Sequence, residues 1–124
     1  MIKHTPPPNY ALIKKHFPDA DFNEGIVFTY FPNIYIKGHP LGDILVHEQT
    51  HLAQQSSLFE TPESWWEKYI SNLDFRLQQE VEAYHNQYKH YPSLLHKLAS
   101  DLSSSLYGSI ISYKDATTRI KHGQ

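Results

Sequence analysis

The residues best suited to chemistry form the pattern His47-Glu48-Gln49-Thr50-His51. If this stretch is helical, residues four apart lie one turn above each other, so His47 and His51 can direct two imidazoles at one metal ion. Glu48 lies about 100° round the helix from His47 and can reach a water molecule in an open metal position. Zinc in such a site lowers the pKa of its water to about 7, and a carboxylate takes the proton as the water attacks an amide carbonyl.

Apolar residues surround this polar trio: Ile44, Leu45, Val46 and Leu52. They indicate a helix that is largely buried, and buried ionisable groups are unfavourable unless they are paired or bound to a metal. The alternative is a surface helix with an incidental pair of histidines. The apolar flanks favour the metal site over this alternative.

A catalytic zinc usually has three protein ligands and a water, so a third ligand must lie elsewhere in the chain. Residues 52–57 contain no His, Asp or Glu. The next strong candidates are Glu80, Glu82 and His85, in a long predicted helix. Glu80 is in line with the apolar positions of that helix, where a buried carboxylate needs a cation, whereas Glu82 lies about 200° away on the opposite face. The spacing favours Glu80, then Glu82, then His85.

The composition fits one small domain over residues 1–124, with 40% hydrophobic residues. Thirteen acidic residues against eleven Lys and Arg give no electrostatic reason to expect nucleic acid or a membrane as partner. The absence of cysteine excludes disulfides and thiolate ligands. Because we find neither a secretory signal nor an apolar run of the roughly 18–20 residues that a membrane span needs, we expect a cytoplasmic protein. The composition does not predict the oligomeric state.

The first third of the chain predicts an extended Pro-rich arm over residues 1–9, because Pro6–Pro8 favour polyproline II. A short helix over Tyr10–His16 follows. Residues 26–31 and 34–37 are β-branched and aromatic, so they predict a hairpin or a bent strand pair with Pro32 in the turn or on an edge strand.

The remaining residues predict helices. The motif helix should begin at an Asp43 N-cap and run to about Ser56. Thr61 should cap a long helix to about Tyr88, whose apolar residues recur every three or four positions. A helix over Leu94–Leu106 and a last short helix capped by Ser112 should follow. The expected fold is therefore α+β, with a small antiparallel β element packed on the motif helix and the long helix.

The motif His47-Glu48-x-x-His51, followed by Glu80-Val81-Glu82-Ala83-Tyr84, resembles the gluzincin metallopeptidases, in which the second segment is often Glu-x-x-Ala-Asp. The resemblance implies a zincin-like fold and one Zn²⁺ per chain held by His47, His51 and Glu80. It also implies that Glu48 is the general base. The chain is similar, too, to small single-domain metallopeptidases encoded by phages and bacteria. The features that carry this second similarity are the strand pair before the motif, Trp65-Trp66, Phe75-Arg76 and Tyr107-Gly108.

The chain departs from the gluzincin pattern at Tyr84, which stands where the family has Asp. In the family that Asp orients a zinc-bound histidine by hydrogen bonding, and such partners tune the ligand. Tyr84 is on the helix face of Glu80 and is one candidate for this role. Glu82, Asp43 and a backbone carbonyl are the others.

Two further parts of a hydrolase have candidates. A donor for the oxyanion is needed, and the spacing does not select among the possible residues: Tyr113, Tyr88, His85, His39 and Arg76. In zincins an edge strand above the motif helix binds extended substrate by strand addition, so the resemblance implies that Phe31–Lys37 is that strand.

The leading hypothesis is zinc-dependent hydrolysis of bonds in a peptide or protein substrate, and other amides remain open. The first alternative is a zinc-stabilised structural or phage-assembly protein with little turnover. Glu48 weighs against it, because a purely structural site needs no general base. A second alternative is a latent enzyme whose cleft is covered by the Pro-rich arm or the C-terminal tail.

Overall fold

Two antiparallel helices that pack side by side carry the motif and the predicted third ligand. The computed structural model describes all 124 residues. Its α-helices are Tyr10–His16 (α1), Gly42–Gln55 (α2), Pro62–Ser71 (α3), Leu73–His90 (α4), Leu95–Leu102 (α5) and Tyr113–His122 (α6). Its strands are Ile2–Lys3 (β1), Phe28–Tyr30 (β2) and Asn33–Tyr35 (β3). The predicted α+β class is confirmed.

The sheet has the strand order β1-β3-β2 and is mixed. The predicted hairpin is confirmed, because β2 runs antiparallel to β3 and Pro32 lies in the turn between them. Part of the predicted extended arm over residues 1–9 is a strand of the sheet, since β1 pairs in parallel with β3. The predicted substrate strand Phe31–Lys37 is therefore wrong. It contains β3, which is the central strand with a neighbour on each side and has no free edge.

The N-cap of the motif helix α2 lies two residues earlier than predicted. Its N-cap is Leu41, and Asp43 lies in the first turn, where a negative charge is favourable near the positive end of the helix dipole. Gly42 allows a close approach of α4, because a Cβ atom there would lie 2.7 Å from the Tyr91 hydroxyl oxygen. The Asp43 carboxylate accepts a hydrogen bond from the side chain of Gln87 on α4.

The predicted long helix over Thr61–Tyr88 is wrong, since the chain forms two helices that meet at Asn72. Asn72 has an extended backbone, with φ −128° and ψ 108°, and its side chain accepts a hydrogen bond from Phe75 N at the start of α4. The N-cap at Thr61 is confirmed by a reciprocal capping box with Ser64. The break changes the direction of the chain, so that α3 lies beside α4 and its side chains reach Glu80.

The first of the two C-terminal helices is also shorter than predicted. The predicted Leu94–Leu106 helix ends at Leu102 in α5, and a 3₁₀ turn over Ser105–Tyr107 follows. Ser112 caps α6 as expected, by accepting a hydrogen bond from Asp115 N.

Two hydrophobic clusters form the core. The first joins α1, the sheet and α3, and its buried residues are Ile13, Phe17, Ala20, Phe22, Phe28, Tyr35, Trp65, Trp66 and Tyr69. The second joins α4, α5 and α6, and its buried residues are Val81, Tyr84, Leu98, Ala99, Leu102, Ala116 and Ile120. None of the helices is both long enough and apolar enough to span a membrane.

Candidate metal centre

Three ligand atoms converge between α2 and α4. The helical period places His47 and His51 on one face of α2, and Glu80 faces them from α4. The distances are 3.2 Å between His51 Nε2 and His47 Nε2, 3.1 Å from His47 Nε2 to Glu80 Oε1, and 3.3 Å from His51 Nε2 to the same oxygen. All three residues are buried, with 3–6% of their surface exposed.

This triangle has the size that one metal ion requires. Tetrahedral ligands with bonds of about 2.0–2.1 Å are about 3.3 Å apart, close to the observed 3.1–3.3 Å. Two imidazole nitrogens and one carboxylate oxygen are also a ligand set that divalent transition metals accept. The buried group of His47, His51 and Glu80 could therefore hold a metal ion.

The proton on His47 is fixed by a glutamine. His47 Nδ1 lies 3.0 Å from Gln87 Oε1, and Gln87 Nε2 donates to Asp43 Oδ2 at 2.8 Å. A rotated Gln87 amide would place its oxygen against the Asp43 carboxylate, and two acceptors cannot bond to each other. The amide oxygen therefore faces His47, and His47 Nδ1 must be the donor.

His51 has a matching arrangement on the other side. Its Nδ1 lies 2.8 Å from Gln54 Oε1. Gln54 Nε2 donates to the backbone oxygen of Gln79 at 3.1 Å and to Glu82 Oε1 at 2.8 Å. Because both of these partners are acceptors, the Gln54 amide has only one possible orientation and His51 Nδ1 is also a donor. The carboxylates of Asp43 and Glu82 thus act on the histidines through glutamine amides and make no direct contact with the rings.

As a consequence, the three ligand atoms at the centre of the site have no hydrogen-bond donor among them. With Nδ1 protonated, each neutral imidazole presents a lone pair at Nε2. Glu80 Oε1 is the third acceptor, since the Tyr69 hydroxyl donates to Glu80 Oε2 at 2.6 Å. Three acceptors at 3.1–3.3 Å repel each other unless a cation lies among them.

The electrostatics of the metal-free site agree with this description. Burial disfavours a charge on His51, but the carboxylates of Glu80 and Glu48 outweigh burial and raise the pKa of His51 to about 9. Burial likewise favours neutral Glu80, but the imidazoles of His51 and His47 outweigh it and hold the pKa of Glu80 well below its ordinary value. A proton on His51 and a metal ion compete for the same position, so metal binding releases the proton.

Glu48 lies beside this triangle and lines the same cavity, which has a volume of about 60 Å³. The Thr29 hydroxyl donates to Glu48 Oε2 at 2.5 Å, and no protein group bonds to the other carboxylate oxygen, Oε1. Most of the cavity wall is hydrophobic: Ile13, Phe17, Ala20, Ile26, Val27, Phe28, Trp65, Trp66, Tyr69, Leu106 and Tyr107. Glu48 therefore has one oxygen held in place and one available to a ligand.

The segments expected to cover the cleft of a latent enzyme are not at the cavity. Neither the arm over residues 1–9 nor the C-terminal helix α6 lines it. Its lining includes residues of α1 and of the segment that follows it, together with residues of the 3₁₀ turn over Ser105–Tyr107.

The other candidates from the sequence lie outside the triangle. Tyr84 packs its ring against that of His47, with centroids 4.3 Å apart, but its hydroxyl bonds to Tyr107 and to no histidine. His85 bonds to the backbone oxygen of Ile120 on α6. Tyr113 is exposed and bonds to the ring of His96. None of the predicted oxyanion donors lines the cavity: Tyr113, Tyr88, His85, His39 and Arg76.

Several residues of the site were missed from the sequence: Thr29, Gln54, Tyr69, Gln87 and Tyr107. A signal existed for the two glutamines. Gln54 is three residues after His51 and Gln87 is seven after Glu80, so both lie on the helix face of a ligand. Thr29, Tyr69 and Tyr107 come from other elements, and no local spacing connects them to the motif.

No protein-family model, curated protein or solved structure matches the chain. The assignment of function therefore depends on the geometry of the site.

Metal content should depend on the three ligands. We expect the wild type to keep one divalent ion per chain and Glu80→Gln, which keeps the shape but removes the charge, to lose it. Glu67→Ala, at an exposed position of α3, is the control. Elemental mass spectrometry measures the content, and thermal unfolding should show that a chelator destabilises only the metal-binding proteins. An ion at 100 times its Kd contributes about 2.7 kcal/mol. Equal metal content in all three proteins would contradict the site.

The glutamine amides should determine metal affinity. Gln87→Leu removes the acceptor of His47 Nδ1, so we expect the metal Kd to rise about 10- to 100-fold while the protein stays folded. Gln78→Leu, on the exposed face of α4, should leave the Kd unchanged. Competition with a chromogenic chelator measures both values. An unchanged Kd in Gln87→Leu would mean that the tautomer is fixed by some other contact.

Proposed function

We propose that the chain is a zinc-dependent peptidase in which Glu48 is the general base. The observation that supports this most strongly is that a His, His, Glu triangle of metal-ligand size and a second carboxylate, Glu48, line one cavity. Two histidines and a glutamate form a ligand set used by catalytic zinc sites. A structural site needs four protein ligands and no base, and this centre offers three ligands and a base.

Zinc, when bound, supplies a Lewis acid that acidifies water and polarises a carbonyl group. The residues of the chain supply positioning and proton transfer. Glu48 accepts a proton at Oε1, because Thr29 holds Oε2, and it then donates that proton to the leaving amine. Thr29 thereby directs the carboxylate and keeps it from rotating away.

Tyr107 is the donor that we assign to the oxyanion. The hydroxyl and indole donors of the other side chains that line the cavity are already engaged: Thr29 with Glu48, Tyr69 with Glu80, Trp65 Nε1 with Gln79, and Trp66 Nε1 with the backbone oxygen of Thr29. The hydroxyls of Tyr107 and Tyr84 are 2.6 Å apart and share one bond, so one hydrogen of the pair remains. Burial raises the pKa of the Tyr107 hydroxyl well above its ordinary value, so Tyr107 keeps its proton.

One observation favours the structural alternative. A cavity of about 60 Å³ holds only a few water molecules, because each needs about 10–15 Å³. A zinc-stabilised protein with little turnover, or a latent enzyme, needs no larger space. A substrate, by contrast, requires side chains that line the cavity to move.

Replacing Glu48 separates these functions. Glu48→Gln keeps the bond to Thr29 possible but cannot accept a proton, so we expect hydrolysis of a peptide library to be lost while zinc content and melting temperature stay close to those of the wild type. Glu67→Ala should retain full activity. A zinc-loaded wild type that cleaves no peptide would support the structural alternative, and an active Glu48→Gln would exclude the assigned base.

Replacing Tyr107 tests the oxyanion donor. Loss of one such donor lowers kcat about 100- to 1,000-fold, so we expect this loss in Tyr107→Phe with KM and zinc content nearly unchanged. Tyr84→Phe, which keeps the Tyr107 hydroxyl, should stay within a few-fold of the wild type. Equal losses in the two variants would assign the pair a packing role.

A further inference from the structure

The outer edge of β2, a strand that lines the site, is bonded to the side chains of Gln55 and Trp66. Gln55, at the end of α2, donates from Nε2 to the backbone oxygen of Thr29 at 2.9 Å and accepts at Oε1 from Phe31 N at 2.7 Å. Trp66 Nε1 donates to the same Thr29 oxygen at 3.0 Å. Gln55 has no exposed surface.

These two bonds are the ones that a neighbouring strand would make. In an antiparallel ladder, alternate residues direct both backbone groups to the same side. Ile34, opposite Thr29, directs its N–H to the backbone oxygen of Met1, so the backbone groups of Thr29 face away from β3. A residue of a strand paired in parallel with β2 would donate its N–H to Thr29 O and accept at its carbonyl oxygen from Phe31 N. The Gln55 amide does both and occupies the place of that residue.

Only one pair of backbone groups remains on this edge next to the metal ligands. The next pair along the edge is Thr29 N–H and the carbonyl oxygen of Val27, and no hydrogen bond from another residue reaches Val27. Val27 and Thr29 both line the cavity that contains Glu48 and the ligand triangle. A substrate backbone can therefore make two bonds at the site, and its further extension along β2 meets Gln55 and Trp66.

We propose that Gln55 ends the substrate-binding edge, so that the enzyme acts on short peptides and excludes internal segments of extended polypeptides. This inference depends on the proposed peptidase function. The small, mostly apolar cavity of about 60 Å³ agrees with it, because this volume does not hold a long peptide. Gln55 is then a residue that determines specificity and makes no contact with the reacting atoms.

A series of peptides that share one scissile bond tests the proposal in the zinc-loaded wild type. The peptides have two, three, four and eight residues and are lengthened on one side at a time. We expect kcat/KM to become constant within about threefold from the tripeptide onward and the eight-residue peptide to gain nothing. A tenfold or larger gain for each added residue, on both sides of the bond, would overturn the proposal.

A variant tests the role of Gln55 directly. Gln55→Ala frees Phe31 N and leaves Trp66 as the only partner of Thr29 O, which can accept a second hydrogen bond from substrate. We therefore expect the ratio of kcat/KM for the eight-residue peptide to that for the tripeptide to rise at least tenfold. Gln78→Ala, on the exposed face of α4, should keep the wild-type ratio. An unchanged ratio in folded Gln55→Ala would contradict the proposal, and if this variant does not fold, the wild-type length series decides.

A binding measurement distinguishes failure of this inference from failure of the peptidase function. Peptide hydroxamates with one and with four residues are titrated against the zinc-loaded wild type by calorimetry. We expect their Kd values to agree within about threefold, even if no peptide is cleaved; in that case the peptidase function fails and the closed edge is supported. Affinity that rises tenfold or more with length would exclude the closed edge.

Discussion

The mutual repulsion of three hydrogen-bond acceptors is the constraint on which the site depends. His47 Nε2, His51 Nε2 and Glu80 Oε1 lie 3.1–3.3 Å apart in a buried position, and only a cation makes this arrangement favourable. A proton on one imidazole satisfies part of the triangle, whereas a metal ion satisfies all of it. Val81 and Tyr84 anchor α4 in the second core cluster, so packing energy keeps the helix of Glu80 in place against the repulsion.

The side-chain amides of three glutamines position two histidines and bond to the edge of β2, and all three use the same chemical property. An amide presents a donor and an acceptor at once, whereas a carboxylate presents acceptors alone. Gln54 and Gln87 use the acceptor to hold a histidine Nδ1–H and the donor to bond to a carboxylate. Gln55 uses both atoms to make the two bonds that a residue of a neighbouring strand would make at the edge of β2. Gln54 and Gln55 are adjacent on α2, about 100° apart, so one helix end serves the metal ligands and the sheet.

Local patterns predicted the motif helix, the hairpin, the capping at Thr61 and the position of Glu80 on the inner face of its helix. The break at Asn72 was missed because apolar residues continue at helical spacing across it, from Tyr69 to Leu73 and Leu77, while the break depends on one extended residue. Leu73 is in fact exposed. The bond from Gln87 to His47 joins residues 40 positions apart, and the β1–β3 pairing joins the arm to the hairpin; such contacts arise from tertiary packing and have no local signal.

Most residues of the first core cluster also line the cavity. This overlap limits the size of the substrate that the proposed peptidase can accept. Ile13, Phe17, Trp65 and Tyr69 both line the cavity and pack in the core. Enlarging a core cavity costs about 24 cal/mol per Å³, so each further 100 Å³ would cost about 2.4 kcal/mol. Since proteins have only about 5–15 kcal/mol of stability, several hundred Å³ of empty space in this core would remove much of it from a chain of 124 residues. The narrow cavity and the closed edge of β2 therefore favour the same kind of substrate, one that is small enough to enter without separating α1 from α3.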